Sequence, residues 1–163
     1  MKILDIEINE AFFKKLIIAS LILIFIYGAL TVVSYAMMEP YTLETETTVN
    51  DDEIKTGISV LNQGTKKLKI EGWAYKTGQS IEKFNSSFVL KNRETGKMYL
   101  IKTAMQTVEE LRNVEGSYDC SKAGMSAECI IAGLDKGIYD ICILYKNDNE
   151  NIFAETAITL QVQ

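Results

Sequence analysis

Residues Leu16–Met38 read LIIASLILIFIYGALTVVSYAMM, without one Asp, Glu, Lys or Arg. At a helical rise of about 1.5 Å per residue the run is roughly 35 Å long, enough to cross a hydrocarbon layer of about 30 Å with some tilt. Backbone groups in lipid must be satisfied within their own segment, so the run is expected to be helical. Lys14 and Lys15 precede it. Glu39, Glu44, Glu46, Asp51, Asp52 and Glu53 follow it, with no base before Lys55. Basic residues stay on the cytoplasmic side, which places the short N-terminus inside and everything after Met38 outside. Ser34-Tyr35-Ala36 would suit a signal peptidase, but the apolar run is longer than the usual signal-peptide core of about 7–15 residues. The reading is an uncleaved single-pass anchor in the cell membrane, with the lipid bilayer as its first partner.

The run divides the chain into four parts. Residues 1–15, MKILDIEINEAFFKK, are a cytoplasmic stub whose Ile, Leu and Phe side chains lie among charges, suited to a membrane surface or a partner, or else a partly ordered tail. Residues 16–38 are the transmembrane helix. Residues 39–53 are an acidic spacer below the domain; within them Thr42–Asn50 is rich in threonine and has a first edge strand as the alternative, because Thr and Val favour extended chain. Residues 54–163 form the extracytoplasmic domain.

That outer part reads as short strands separated by turns. Ile54–Leu61 is one. Lys67–Lys76 places Leu68, Ile70 and Ala74 on one face and Trp73 and Tyr75 on the other. Phe84–Arg93 leads through Glu94-Thr95-Gly96-Lys97 into Met98–Thr103. Gln106–Val114 is one helical turn or a loop. Glu128–Leu134 is followed by Ile138–Tyr145, apolar on both faces and therefore central. Ile152–Val162 alternates with period two. Strands at this spacing, without helices between them, argue for an all-β, immunoglobulin-like sandwich of about seven to eight strands.

Composition excludes several functions. The chain has no histidine, which removes the commonest general base and the commonest zinc ligand together. Residues 1–15 hold three acids and three bases, so the outer part keeps the whole net charge of −5. An acidic ectodomain lacks the clustered Lys and Arg that phosphate contacts need, so no nucleic acid is expected. No catalytic set, metal or cofactor is expected either. Glu109-Glu110 are adjacent rather than opposed, and Asp148 and Glu150 lack the spacing of a calcium loop.

The order of features from Lys67 onward resembles a family of extracytoplasmic β-sandwich domains in Gram-positive envelope proteins, marked by a Gly-Trp-Ala motif. The residues that carry the resemblance are Ile70-Glu71-Gly72-Trp73-Ala74-Tyr75, Phe88-Val89-Leu90, Tyr99 and Arg112-Asn113-Val114. Leu134-Asp135-Lys136-Gly137-Ile138-Tyr139-Asp140-Ile141-Cys142-Ile143 completes the series. Asn113 departs from the family's acid after the arginine, and Glu128-Cys129 from its Gly-Phe. The resemblance implies a membrane-tethered module near surface glycopolymer and teichoic-acid machinery.

Four residues are candidates for ligand binding. Trp73 and Tyr75 share a strand face and could stack on a sugar ring, although a lone tryptophan in such a strand is expected to fill the core between two sheets. Arg112, near Tyr118, could grip a carboxylate or phosphate in bidentate fashion, against the commoner use of such an arginine in tying down its own loop. Cys120 and Cys129 flank a short loop outside the membrane and are expected to be bonded, with Cys142 a buried thiol. The functional expectation is a membrane-tethered, non-catalytic accessory subunit of an envelope complex, docked on an integral-membrane protein. Gly28, Ala29 and Thr31 would permit close helix packing there. The alternative is a membrane-anchored module that binds cell-wall glycan.

Overall fold

The apolar run folds as helix α1, Glu10–Ala36, in a computed structural model that describes residues 10–36, 38–44, 47–49, 53–63, 66–114, 116–148 and 150–163. Phe12–Thr31 is long and apolar enough to cross a membrane, and it lies near the N-terminus. The helix begins six residues before the uncharged run, so Lys14 and Lys15 belong to its first turns instead of preceding it. Their aliphatic stems can lie along an apolar surface while the ammonium groups reach water. Most of the expected stub, residues 1–9, lies outside the described residues. At the other end the helix stops at Ala36, and Met38 packs against the core of the β domain. The boundary expected at residue 38 therefore moves back, and the chain divides into a unit ending at Tyr35 and a unit beginning at Ala36.

Among its described residues the second unit contains eleven strands. In chain order they are β1 (Glu39–Tyr41), β2 (Thr48–Val49), β3 (Ile54–Gln63), β4 (Lys67–Lys76), β5 (Ser87–Asn92) and β6 (Met98–Ile101). Then come β7 (Ala104–Gln106), β8 (Gly124–Ile130), β9 (Gly137–Asn147), β10 (Glu150–Ala154) and β11 (Thr159–Val162). One sheet has the order β1-β6-β5-β9-β10-β2, with β11 also on β9, and the other has the order β3-β4-β8-β7. Every pairing is antiparallel except that of β2 with β10.

Alternation decides which side chains meet. Leu68, Ile70 and Ala74 of β4 and Tyr139, Ile141, Ile143 and Tyr145 of β9 all enter one cluster, joined by Phe88, Leu90 and Met125. This main core draws on both sheets, and each large side chain buried in it contributes roughly 1.5–3 kcal/mol. The expected single strand 152–162 is broken into β10 and β11, which run in succession along the same edge of β9. Ala154 pairs with Ile143 and Thr159 with Asp140, so four residues on one side face two on the other. The Thr156 hydroxyl donates to the Ile141 carbonyl at 2.6 Å, and the Ile141 amide donates to Ile158 O at 2.9 Å. Because the insertion is two residues long, the face parity survives, and Ile152, Leu160 and Val162 all reach the main core.

The segment 39–53, expected as a spacer, is corrected in the same way. β1 lies on one edge of the seven-stranded sheet and β2 on the opposite edge, and Tyr41 and Leu43 lie on its outer face. Tyr41 and Leu43 pack there against Val89, Cys142, Leu144 and Phe153. This explains why β9 is apolar on both faces: the chain leaving the helix covers the second one. The acids act as clamps, Glu39 toward Lys102 at 3.7 Å and Glu44 toward Lys146 at 3.6 Å. Asn151 Nδ2 also donates to Glu44 at 2.9 Å. Within Thr42–Asn50, where an edge strand was the alternative, Thr48–Val49 is such a strand, whereas β1 precedes that stretch; residues 45, 46 and 50–52 lie outside the described residues.

The expected Cys120–Cys129 disulfide is absent, and no pair among the three cysteines is bonded. Cys120 packs with Ile81 and Ala123, whereas Cys129 belongs to the main core. Between them the chain runs extended along β8 from Gly124. Five residues at about 3.3 Å each carry Cys129 well past the roughly 7 Å limit on Cα separation in a disulfide. Burial pushes the thiols of Cys129 and Cys142 up to about 12, which makes both poor nucleophiles in the folded state. Unreduced protein, denatured and titrated with a thiol reagent, is accordingly expected to consume three equivalents; a value of one would restore a disulfide.

Candidate functional site

The face of β4 opposite the main core carries Glu71, Trp73 and Tyr75. Trp73 therefore does not fill the space between the sheets, and that expectation is overturned. The indole is half-buried and stacked on Tyr75, with ring centres 5.6 Å apart and planes inclined by 22°. Register explains how it fits. Trp73 pairs with Gly57 on β3 and with Gly124 on β8, so neither neighbouring strand raises a side chain beside it. The ring lies over Gly57, where an added Cβ would stand 2.5 Å from its Cε2. Over Gly124 lie Gln106 and Val108, the latter 2.7 Å from where a Cβ would be. A glycine inside a strand commonly marks such a close approach.

On the side of the indole away from Tyr75 the surface is hollowed into an open groove of about 380 Å³. Ser59 and Glu71, a cross-strand pair, lie along it, Gln106 and Val108 border it, and Leu61 lines it with about half of its surface exposed. The groove combines one aromatic wall with a hydroxyl, a carboxylate and an amide. Its size falls within the range of roughly 300–1,000 Å³ typical of small-molecule sites. Glu71 has a 3.9 Å contact with Lys69, and Gln106 donates to Met125 O at 3.3 Å. The indole N–H of Trp73 has no hydrogen-bond partner among the described residues. A ring seated against the tryptophan would thus find both a flat apolar surface and polar groups at its edge.

The remaining candidates lie nearby but serve the fold. Tyr118 and Tyr75 pack with Trp73, Leu111 and Val114 around Ile81, Cys120 and Ala123. Two short 3₁₀ turns, Glu109–Leu111 and Ser121–Ala123, hold this cluster over the end of β4. Val108 N donates to Ser121 O at 2.7 Å and Cys120 N to Leu111 O at 3.0 Å, so the loop is bonded onto itself. Arg112 grips Glu109 with Nε at 2.8 Å and Nη2 at 2.9 Å from the two carboxylate oxygens. Both side chains are exposed, so the bidentate geometry is spent on the arginine's own turn, a contact of small energetic weight. Glu150 accepts from Lys76 at 2.9 Å and from Gln79 at 3.1 Å, which ties the β9–β10 turn to β4 and its following loop.

Ser59, Glu71, Gln106 and Val108 carry no motif, and they became a site only through strand register. One signal was present in the sequence: a glycine inside the strong strand pattern at Ile54–Leu61, placed to admit a large neighbour. In the helix, Ser20 Oγ donates to Leu16 O at 3.0 Å and the Thr31 hydroxyl to Tyr27 O. Both hydroxyls are thus satisfied within the helix itself. Comparison with family models, curated proteins and solved structures gives no match for this chain.

Proposed function

We propose that the protein is a membrane-tethered, non-catalytic binding module of a cell envelope, and that the groove beside Trp73 takes a sugar ring. The observation that carries the reading is the position of Trp73, on the outer face of its sheet, bordering an open groove, with no partner for its indole N–H among the described residues. The accessory-subunit expectation had rested partly on assigning that tryptophan to the core. It had rested also on Gly28, Ala29 and Thr31 beside Tyr27 and Tyr35 in the helix, of which the Thr31 hydroxyl donates within the helix to Tyr27 O. In this reading Phe12–Thr31 crosses the membrane once, residues before it are cytoplasmic, and the β domain faces outward, as the charge asymmetry supports. The two sheets, sharing one core, are read as a β-sandwich of immunoglobulin-like type. The ordered motifs from Gly72-Trp73-Ala74 onward support a surface-glycopolymer setting by resemblance. The role is binding rather than turnover because Glu71 is the groove's one carboxylate among the described residues, without an opposed acid to complete a hydrolytic pair.

The test is binding of envelope polysaccharides and their oligosaccharides to the full chain in mild detergent. Trp73→Ala should lower affinity at least tenfold, about 1.4 kcal/mol or more, while the melting curve stays cooperative. Gly57→Ala should act in the same direction, since the new Cβ displaces a side-chain ring rather than backbone. Absence of any sugar binding, with a stoichiometric membrane protein recovered through residues 16–38, would return the reading to a docked subunit.

A further inference from the structure

Charge narrows what the groove beside Trp73 can hold, once that groove is read as a sugar site. Among the residues that line it only Glu71 is charged, and neither a lysine nor an arginine reaches it. A ligand there meets one negative group and an aromatic face, with no base to receive an acid of its own.

Glu71 and Trp73 are two residues apart on β4, so they share a face and lie about 7 Å apart along the strand. The cross-strand neighbours of Glu71 are Ser59 on β3 and Ser126 on β8, both uncharged. Lys69 approaches Glu71 to 3.9 Å, but it lies two residues along β4 in the direction away from the indole and does not line the groove. The two side chains are 49% and 39% exposed, and a pair so open to water is weak and easily exchanged. Among the described residues no hydrogen bond reaches the Glu71 carboxylate, so its acceptor capacity faces the groove unused.

Two attractions then act on a cation in this place. A carboxylate makes short, charge-assisted hydrogen bonds to an ammonium, and the face of an indole attracts the same charge. A uronate or a phosphate would bring a like charge beside Glu71 instead. Acetylation of an amine removes both attractions while leaving the ring able to stack. We infer that the groove selects a sugar with a free, protonated amine. The apolar face of this unacetylated amino sugar rests on Trp73 and its ammonium points toward Glu71. A six-membered ring with one exocyclic group covers the span between the two residues, and Ser59 and Gln106 meet its hydroxyls.

The experiment is titration calorimetry of the full chain in mild detergent, with β-1,4-linked glucosamine oligosaccharides, their fully N-acetylated counterparts and a uronic acid oligosaccharide of equal length. The glucosamine form should bind at least tenfold more tightly than the acetylated form, the scale of one charge-assisted hydrogen bond. The uronic acid form should bind most weakly. Glu71→Gln should remove the preference for the free amine and leave binding of the acetylated form unchanged. Glu94→Gln, an equal change of net charge on the turn before β6, should preserve the preference. Acetylated or acidic sugars that bind as well as glucosamine, with Trp73→Ala still weakening them, would overturn the charge selection and leave the sugar groove standing. A preference lost equally in Glu94→Gln would trace it to the net charge of the domain and overturn the assignment to Glu71. Absence of binding to all three would overturn the sugar site itself and this selection with it.

Discussion

A chain trimmed to begin at Ile54, the domain boundary legible in the sequence, is expected to lose on the order of 5 kcal/mol of stability relative to one beginning at Met38. The trimmed chain lacks β1, β2 and the side chains of Tyr41 and Leu43, which exposes Val89, Cys142, Leu144 and Phe153. Full burial of one such aliphatic or aromatic side chain contributes about 1.5–3 kcal/mol, and partial recovery by local collapse reduces the sum. For a domain of this size the melting temperature should fall by roughly 20 °C. An apolar dye should bind the trimmed protein and not the longer one. Where the trimmed chain fails to accumulate, the double substitution Tyr41→Ser and Leu43→Ser in the full chain gives the same comparison. A drop of less than about 5 °C would mean that the removed residues add little to the fold.

Tyr139→Ala is expected to cost about 4 kcal/mol, the scale of deleting a large aromatic from a packed core. Tyr139 is fully buried on the central strand β9, and its ring lies 6.4 Å from that of Tyr99. Its hydroxyl donates to the Asp135 carbonyl at 2.8 Å and so closes the turn that leads into the strand. The two contributions separate by substitution. Tyr139→Phe keeps the ring and removes that bond, and should cost about 1 kcal/mol. Denaturant unfolding followed by tryptophan fluorescence and by circular dichroism measures both values. A Tyr139→Ala cost below about 1.5 kcal/mol would show that the site collapses around the loss, against the close packing assigned to it.

The strands most legible in the sequence were those whose alternation was strong. Lys67–Lys76 was read with the bounds it has in the structure, and Ile138–Tyr145 lies inside β9. Its two apolar faces correctly marked a central strand, because a side chain's face follows from residue parity alone. Boundaries shifted where pairing partners rather than composition set them. β8 begins at Gly124, four residues before the expected start, because it pairs with β4 as far as Trp73. The small residues of that stretch gave no hydrophobic pattern from which to see it.

The sequence by itself determined one apolar helix near the N-terminus, a mostly β domain after it, and the face of each side chain on the stronger strands. These are local consequences of hydrophobicity and period. Only the tertiary structure decided that Tyr41 and Leu43 cover a sheet, that Cys120 and Cys129 stay apart, and that Trp73 stands outside the core. Each depends on which strand lies beside which. Glycines at 57 and 124 make room for an indole only once register sets them on either side of residue 73, and acids in a spacer become clamps only when Lys102 and Lys146 arrive from strands far along the chain.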